Sequence, residues 1–391
     1  MTDQATPSSG DQRRAYDGPA LFSQGFRPFF LAAGVLAVLA LPLWMLLFLG
    51  SLALPGITDP LNWHIHEMLF GYLSAALAGF LLTAIPNWTG RLPLCGAPLM
   101  ALFALWLAGR IAMLLDAGSP LGKAVALAFL IVLAAVVWRE VLAAGNRRNM
   151  PVCLLVTSLA AAEAVFHFAE PALGIRIGFA TAAMMILLIG GRIVPSFTTN
   201  WLNKRQTAAL PKPFGPYDKA ALALSLAALL CWIVLPDAAI TAAGFAAAAL
   251  ANLWRLARWR GSATGAEPLL LVLHVAFAWI PLAFALFALS ILQPDLVSAQ
   301  QAYHALGAGG IGLMTLAVMT RASLGHSGQA LTADSATTAA YILVLLGALA
   351  RVAADWTAMS TAALHLGATL WTLGFLVFVL RFAPMLMRRK T

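Results

Sequence analysis

Charged residues are scarce in this chain, and their scarcity excludes a water-soluble globular protein. Only 10% of the 391 residues are Asp, Glu, Lys or Arg, whereas 61% are hydrophobic. Soluble domains draw about 25% of their residues from those four charged types. The sequence therefore predicts an integral membrane protein.

Cysteines and long polar segments are also few. Cys95, Cys153 and Cys231 lie far apart, so neither a disulfide framework nor a thiolate metal site is predicted. The longest predicted loop, Ser196 to Tyr217, is too short for a soluble catalytic domain. Any chemistry must lie among the helices. Residues 1–20 are predicted to form a disordered cytoplasmic tail, and residues 21–391 a single transmembrane domain.

Long hydrophobic runs predict an all-α polytopic fold with twelve transmembrane helices. A span of about 20 apolar residues crosses a hydrocarbon core of roughly 30 Å, and unpaired backbone cannot lie in lipid. The predicted spans are near 28–50, 64–85, 97–115, 121–143, 151–170, 175–195, 218–235, 238–256, 268–292, 302–320, 337–354 and 359–382.

The basic residues predict the orientation. With both termini in the cytoplasm, 20 of the 24 Lys and Arg residues face inside, as the positive-inside rule requires. Arg110, Lys123, Arg176 and Arg351 remain for the outer face; Asp116 lies near the first and Asp355 near the last. The net charge of +9 then reflects orientation and attraction to anionic lipid head groups, and no nucleic-acid partner is predicted.

A weak internal repeat relates spans two, six and ten. His66 and His304 each open a span, and a glycine follows each one twenty-four residues later, Gly90 and Gly328. Pro195 and Trp201 after span six echo Pro86-Asn87-Trp88 after span two. The interval of four spans suggests three four-helix units, as in the haem-copper oxidase core subunit, a fold-level analogy. Chance use of Gly, Pro and Trp at membrane boundaries is the alternative.

Histidines near the outer face are the candidate metal ligands. His64 and His66 lie two residues apart, so on a helix they point roughly 200° away from each other and serve different centres unless His64 lies in the loop. Imidazole suits both iron and copper. We predict His66 and His304 as haem ligands, and His64, His66, His167 and His304 as the metal-ligand set. An interfacial belt formed with Trp63 is the alternative for His64 and His66.

Two further features support a site in the membrane. Glu163 and His167 are spaced i, i+4, so they share a helix face and either complete a copper site or begin a proton relay; a buried structural pair is the alternative. Glycines at 307, 309, 310 and 312 leave room for a flat porphyrin or for close helix packing. For His274 and His365 a structural role is predicted.

A second polar set is predicted on the cytoplasmic side. Its arginine and tryptophan donors suit haem propionates, and helix capping is the alternative. The members are Asn87, Trp88, Arg91, Arg192, Asn200, Trp201, Arg321 and His326. From this set, Arg192, Arg321 and His326 are the predicted cofactor contacts.

Five segments together resemble the signature motifs of the NnrS family: 22–30 (FSQGFRPFF), 63–71 (WHIHEMLFG), 79–90 (GFLLTAIPNWTG), 191–198 (GRIVPSFT) and 319–326 (MTRASLGH). The resemblance covers nearly the whole chain. It implies a bacterial inner-membrane protein that contains haem, here expected to be b-type, and copper, and that belongs to the nitric oxide response. It supplies no assignment of ligands.

Two classes of function follow. The first is an oxidoreductase that reduces nitric oxide with electrons from a quinol or a cytochrome and protons delivered through Glu163 and His167. The second is a non-catalytic protein that binds or moves a metal, haem or nitrosyl complex. A sensor would normally need a soluble output domain, which the sequence lacks. Enzymatic reduction that protects against nitrosative stress is the preferred hypothesis.

Overall fold

The computed structural model describes residues 16–357 and 359–389, and every regular element in those residues is helical. Twelve helices there are long and apolar enough to cross a membrane, so the predicted all-α, multi-pass fold is confirmed. They are α1 (Phe26–Phe48), α2 (Pro60–Thr89), α3 (Ala97–Leu115), α4 (Pro120–Ala143), α5 (Arg147–Phe168), α6 (Pro171–Lys204), α7 (Pro216–Val234), α8 (Ala239–Ala257), α9 (Pro268–Leu292), α10 (Ala299–His326), α11 (Ser335–Trp356) and α12 (Ser360–Met387).

The helix starts follow from local sequence. A side-chain oxygen accepts a backbone N–H of the first turn at five of them, which satisfies a donor that has no partner inside the helix. These caps are Asp59, Ser119, Glu267, Ser298 and Asp334. Proline occupies the first turn of α2, α3, α4, α7 and α9, where its missing N–H costs nothing.

One predicted loop is helical over almost half its length. The sequence predicts a connection from Ser196 to Tyr217, but α6 continues to Lys204 and the connection covers only 205–215. Pro195 removes one backbone hydrogen bond without ending the helix. The hydroxyls of Thr198 and Thr199 donate to the carbonyls of Val194 and Pro195, so the polar residues are satisfied within the helix itself. Polarity at the end of a span was therefore mistaken for a loop.

The chain divides into two compact units. The first comprises the residues up to Pro171, together with Ala322–Gln329 and the residues from Val379 onward. In it α1 packs on α2, α2 on α4, α3 on α4, and α4 on α5. The guanidinium of Arg27 donates to the carbonyls of Met385, Leu386 and Arg388, which ties the start of α1 to the end of α12.

The second unit comprises Ala172–Arg321 and Ala330–Phe378. In it α7 packs on α8, α8 on α9, and both α9 and α11 pack on α10. Its core contains a cluster of aromatic rings around Phe245 and Phe287, which stack 5.2 Å apart.

The predicted arrangement of three four-helix units stays a prediction. Of the predicted disordered tail, residues 1–15 lie outside the described residues.

Spans two, six and ten share a backbone feature that the sequence does not predict. Each contains a π-helical segment, in which the backbone hydrogen bonds are one residue longer than in an α-helix: Glu67–Tyr72 in α2, Ile186–Gly190 in α6 and Ala305–Gly312 in α10. Single π turns occur frequently at functional sites. Two of the three segments begin directly after a candidate histidine, His66 or His304.

The ends of spans two and ten also match. Gly90 and Gly328, the glycines twenty-four residues after His66 and His304, both adopt a positive φ, +70° and +71°. Residues with a side chain rarely adopt this conformation, and glycine is the usual choice just beyond a helix end. The relation between α2 and α10 that the sequence suggests therefore extends to their backbone conformation.

Candidate metal centre

His66, Glu163 and His167 lie together in the first unit, on α2 and α5. Nε2 of His66 is 3.0 Å from Oε1 of Glu163, and Nε2 of His167 is 3.9 Å from the same oxygen. The two imidazole rings lie with their centroids 4.7 Å apart. One ligand atom from each of the three side chains falls within 4.8 Å of the others, an arrangement that can hold a metal ion.

The three side chains are almost entirely removed from solvent. His66 is 0% exposed, and the side chains of Glu163 and His167 are 1% and 2% exposed. Ionisable groups at this depth are costly unless they are paired or bind a ligand. The i, i+4 spacing of Glu163 and His167 predicts that they share a helix face, and the structure confirms that placement.

His64 does not join this cluster. Because Asp59 caps α2 and the helix already begins at Pro60, both histidines of the pair are helical and diverge. The ring of His64 stacks on Trp44, with centroids 4.2 Å apart and planes 25° apart. Trp63 is buried and donates to the carbonyl of Met113, which is not the position of an exposed interfacial residue.

Glu67 contacts the cluster through the second ring nitrogen of His66, and Arg110 contacts Glu67. Oε1 of Glu67 accepts from Nδ1 of His66 at 3.0 Å and from Nη1 of Arg110 at 2.7 Å. The sequence suggests Asp116 as the neighbour of Arg110, but Arg110 pairs with Glu67 instead. Its position inside an apolar span was the available signal, since an intramembrane arginine normally has a buried partner. The other suggested pair, Arg351 with Asp355, does form, at 3.6 Å.

Two polar atoms of the cluster remain open to a ligand. Among the residues that the structure describes, none forms a hydrogen bond with the buried Oε2 of Glu163 or with Nε2 of His167. Buried polar atoms are normally satisfied, so each exception requires an explanation. Two imidazoles and a carboxylate are a suitable donor set for a first-row transition metal such as copper. The residues present therefore fit the copper that the family resemblance implies.

His304 lies in the second unit at the start of the third π segment. Its Nδ1 donates to the carbonyl of Gln300 at 2.7 Å, so Nε2 is the nitrogen left to bind a metal.

The glycines that follow His304 in α10 allow neighbouring helices to pack closely. Gly309 lies against the ring of Trp279 and Gly312 against that of Trp371. Close packing, the alternative to porphyrin clearance, thus accounts for these two glycines.

The candidates of the predicted cytoplasmic set lie in both units. His326 lies in the first unit with its ring 5.6 Å from that of Phe26. Arg321 lies in the second, with its guanidinium 4.1 Å from the ring centre of Phe197. Arg192 is half-buried on α6 in the same unit. The side chain of Asn87 donates to the carbonyl of Thr83 in its own helix.

The remaining histidines differ in their surroundings. His274 is buried and its Nε2 lies 2.9 Å from the hydroxyl of Thr198, which itself donates to the carbonyl of Val194. Nε2–H of His274 is therefore the donor to that hydroxyl. His365 is exposed on α12. This hydrogen bond of His274 agrees with the predicted structural role.

Every π segment has a carbonyl that accepts from a side chain of another helix. Trp106 of α3 donates to the carbonyl of Gly71, Arg255 of α8 to that of Leu187, and Trp371 of α12 to that of Ala308. A π turn breaks the regular i→i−4 pattern, and each of these carbonyls has a donor from another helix; the carbonyl of Gly71 also accepts from the hydroxyl of Ser74 in its own helix. The sequence does not predict these three donors, because tertiary packing decides which helix faces a given π segment.

The donor to the second π segment belongs to a buried ion pair. Arg255 is fully buried, and its Nε lies 3.0 Å from Oδ1 of Asp218 on α7. Oδ2 of the same carboxylate accepts from the backbone N–H of Gly215 and lies 3.5 Å from Nη1 of Arg258. The pair thus joins α6, α7 and α8 within the second unit.

Residues 20–390 match the sequence model of a family described as NnrS protein. No curated protein matches the chain.

Proposed function

The chain belongs to the NnrS family, and on that premise we propose that it binds haem and copper in the bacterial inner membrane and reduces nitric oxide to a less toxic product. The observation that carries this proposal is the buried group of His66, Glu163 and His167. Nε2 of His167 has no hydrogen-bond partner among the described residues, and a metal ion bound there would satisfy it.

Copper is assigned to that group. Imidazole nitrogen suits copper, and the carboxylate adds negative charge that offsets the charge of the cation in a medium of low dielectric. The i, i+4 pair on α5 supplies two of the ligands from one rigid helix, and α2 supplies the third. His64, which stacks on Trp44, is not included in this ligand set.

Haem of the b-type is assigned to His304. The hydrogen bond from its Nδ1 to the carbonyl of Gln300 holds the ring and directs Nε2 outward from that contact. Ligating histidines commonly donate their other ring nitrogen in this way. Arg192, Arg321 and His326 remain proposed cofactor contacts on the cytoplasmic side. Arg321 and His326 follow His304 on α10 at about 25 and 33 Å along the helix, so each would contact a carboxylate of a group other than the haem held by His304.

Bound iron and copper would supply nitric oxide binding and one-electron chemistry. The chain itself must supply protons and exclude water. Oε1 of Glu163 lies 3.0 and 3.9 Å from the Nε2 atoms of His66 and His167 and would be the oxygen that faces the copper. Oε2 has no hydrogen-bond partner among the described residues and is the atom at which a proton can be held. Electrons come from a quinol or a cytochrome, because reduction consumes electrons that no group in the chain provides.

A non-catalytic metal or nitrosyl-binding protein is the second candidate. The burial of the cluster favours it, because a site closed to solvent retains a bound ion without requiring turnover. The two candidates differ in one measurable quantity. An enzyme consumes nitric oxide continuously with a reductant, whereas a binding protein stops after one equivalent per site.

The test uses purified protein as wild type, His66→Ala, His304→Ala and His365→Ala, the last as a control at an exposed histidine. Copper content, haem spectra and nitric oxide consumption with a quinol are measured on each. We expect His66→Ala to lose copper, His304→Ala to lose or alter the haem spectrum, and the control to match wild type. Wild-type protein that binds both cofactors and leaves nitric oxide unconsumed contradicts the enzymatic proposal and supports the second candidate.

A further inference from the structure

Glu67 lies between a proposed copper ligand and a buried cation. Its Oε1 accepts from His66 on one side and from Arg110 on the other, at 3.0 and 2.7 Å. Glu67 is 1% exposed and Arg110 is 8% exposed, so water does not screen the pair. The carboxylate is therefore held in place by two charge-assisted contacts.

The α3 helix holds this part of α2 at two points. Arg110 contacts Glu67, the first residue of the π segment, and Trp106, one turn earlier on α3, donates to the carbonyl of Gly71 at 3.1 Å. Gly71 has no side chain, and a Cβ there would collide with the guanidinium of Arg110. The glycine thus allows the arginine to reach Glu67.

We propose that Glu67 and Arg110 are positioning residues for the copper held by His66, Glu163 and His167. The proposal rests on the copper site proposed above. An imidazole that donates through Nδ1 to a carboxylate presents Nε2 to the metal in a defined orientation. Glu67 supplies that carboxylate, Arg110 orients Glu67, and Trp106 holds the backbone from which both histidine and glutamate extend.

The placement of these residues distinguishes this role from simple salt-bridge stability. A buried ion pair contributes little net stability when the cost of removing both charges from water is included. Here the carboxylate of Glu67 contacts His66 as well as Arg110. Because Nδ1 of His66 faces Glu67, Nε2 is the ring nitrogen of His66 that faces Glu163. The same donor-to-π-segment arrangement recurs at Arg255 and Trp371, which indicates that this chain repeatedly fixes π turns with side chains from neighbouring helices.

The experiment titrates purified protein with copper against a chromophoric chelator and records the electron paramagnetic resonance spectrum of the Cu(II) form. The variants are Glu67→Ala, Glu67→Gln, Arg110→Lys and Trp106→Phe. Glu140→Gln and Arg139→Lys are matched controls, because Glu140 and Arg139 form an ion pair in the same unit and belong to neither the cluster nor the candidate cofactor contacts.

We expect Glu67→Ala to weaken copper binding by about 10–100-fold, the range typical of such outer contacts, and to change the Cu(II) hyperfine splitting. Glu67→Gln keeps an oxygen that accepts from His66 and should lose less affinity than Glu67→Ala. Arg110→Lys and Trp106→Phe should change the splitting, whereas both controls keep the wild-type spectrum and affinity. If Glu67→Ala does not fold, the Glu67→Gln and Arg110→Lys spectra decide.

Wild-type affinity and spectra in the Glu67 and Arg110 variants overturn the positioning role while leaving the copper site intact. Wild-type protein that binds no copper, or His66→Ala that binds it unchanged, overturns the proposed copper site and the positioning role with it. The two failures are therefore distinguishable by which variant matches wild type.

Discussion

The side chains of His66 and Glu163, 97 positions apart in the sequence, meet inside the first unit with Nε2 and Oε1 separated by 3.0 Å. This contact joins α2 to α5 at the level where the first π segment begins. Because of this contact, His66 and the i, i+4 pair of Glu163 and His167 form one group of three candidate ligands.

Replacing Glu163 by alanine should destabilise the protein. The substitution leaves His66 without one of its two carboxylate partners in a place that water does not reach. We expect a loss of about 1–3 kcal/mol, the cost of leaving a buried polar group unsatisfied. Unfolding in mixed detergent micelles measures this, with Glu170→Gln, a change at an exposed carboxylate just beyond α5, as control. Equal stability of the two variants would contradict the prediction.

Replacing Asp218 by alanine should have a larger effect. Arg255 is fully buried, and without Asp218 its charge has no counter-ion in the contacts that the structure describes around it. Breaking a buried ion pair from one side costs roughly 3–5 kcal/mol. Glu140→Gln is the control, since its partner Arg91 is 42% exposed and partly exposed pairs contribute about 0–1 kcal/mol. In the same assay, the free energy of unfolding of Asp218→Ala should be well below that of Glu140→Gln.

A methyl group at Gly191 should displace the guanidinium of Arg255. A Cβ built there collides with that side chain, which is the donor to the second π segment. We expect Gly191→Ala to cost about 1–3 kcal/mol, as overpacking does. Gly265→Ala is the matched control, because no atom lies within 4 Å of its added Cβ. Hydrogen exchange at 186–190 should increase in Gly191→Ala alone, and unchanged exchange there would refute the role of Arg255.

Cys95 tests both the orientation of the chain and the effect of burial. Burial raises the pKa of its thiol above the ordinary value of 9.0. Because the thiolate is the reactive form, alkylation should be slow at neutral pH and should accelerate only as pH rises past 9. The neutral thiol is favoured in the fold, so the stability that it contributes is present below pH 9 and is lost as pH rises through the raised pKa.

The orientation is measured with a membrane-impermeant maleimide on sealed vesicles, with Cys95→Ser as control. Cys95 lies in the connection between α2 and α3, which the basic residues predict to be cytoplasmic. Inverted vesicles should therefore be labelled and right-side-out vesicles should not. The opposite result would reverse the predicted topology of both termini.

Much of the fold was predictable because a bilayer constrains it strongly. A helix needs a minimum apolar length to cross the hydrocarbon core, so hydropathy alone located all twelve spans, two of them, 97–115 and 268–292, with the same ends as in the structure. The error at Ser196–Lys204 arose at an interface, where polar residues are compatible with either a helix or a loop. The glycine spacing after His66 and His304 correctly indicated matching helix ends.

Individual site residues were predictable where the membrane makes a polar group expensive. Glu163 and His167 stand out because ionisable residues in a span are rare, and their spacing places them on one face by helical geometry alone. The partner of Arg110 was not predictable, because Asp116 is nearer in sequence whereas Glu67 is nearer in space.

The sequence by itself determined that this chain is a twelve-span membrane protein of the NnrS family, with polar candidates at the ends of spans two, five and ten. Composition and hydropathy are local properties that suffice for the spans, and the family rests on motifs in the sequence and on the match to the family model. Only the tertiary structure decided that His66 meets Glu163, that Glu67 joins His66 to Arg110, and which side chains support the π segments. These contacts depend on which helices are neighbours and on their rotation about their axes, and no local pattern of residues encodes either property.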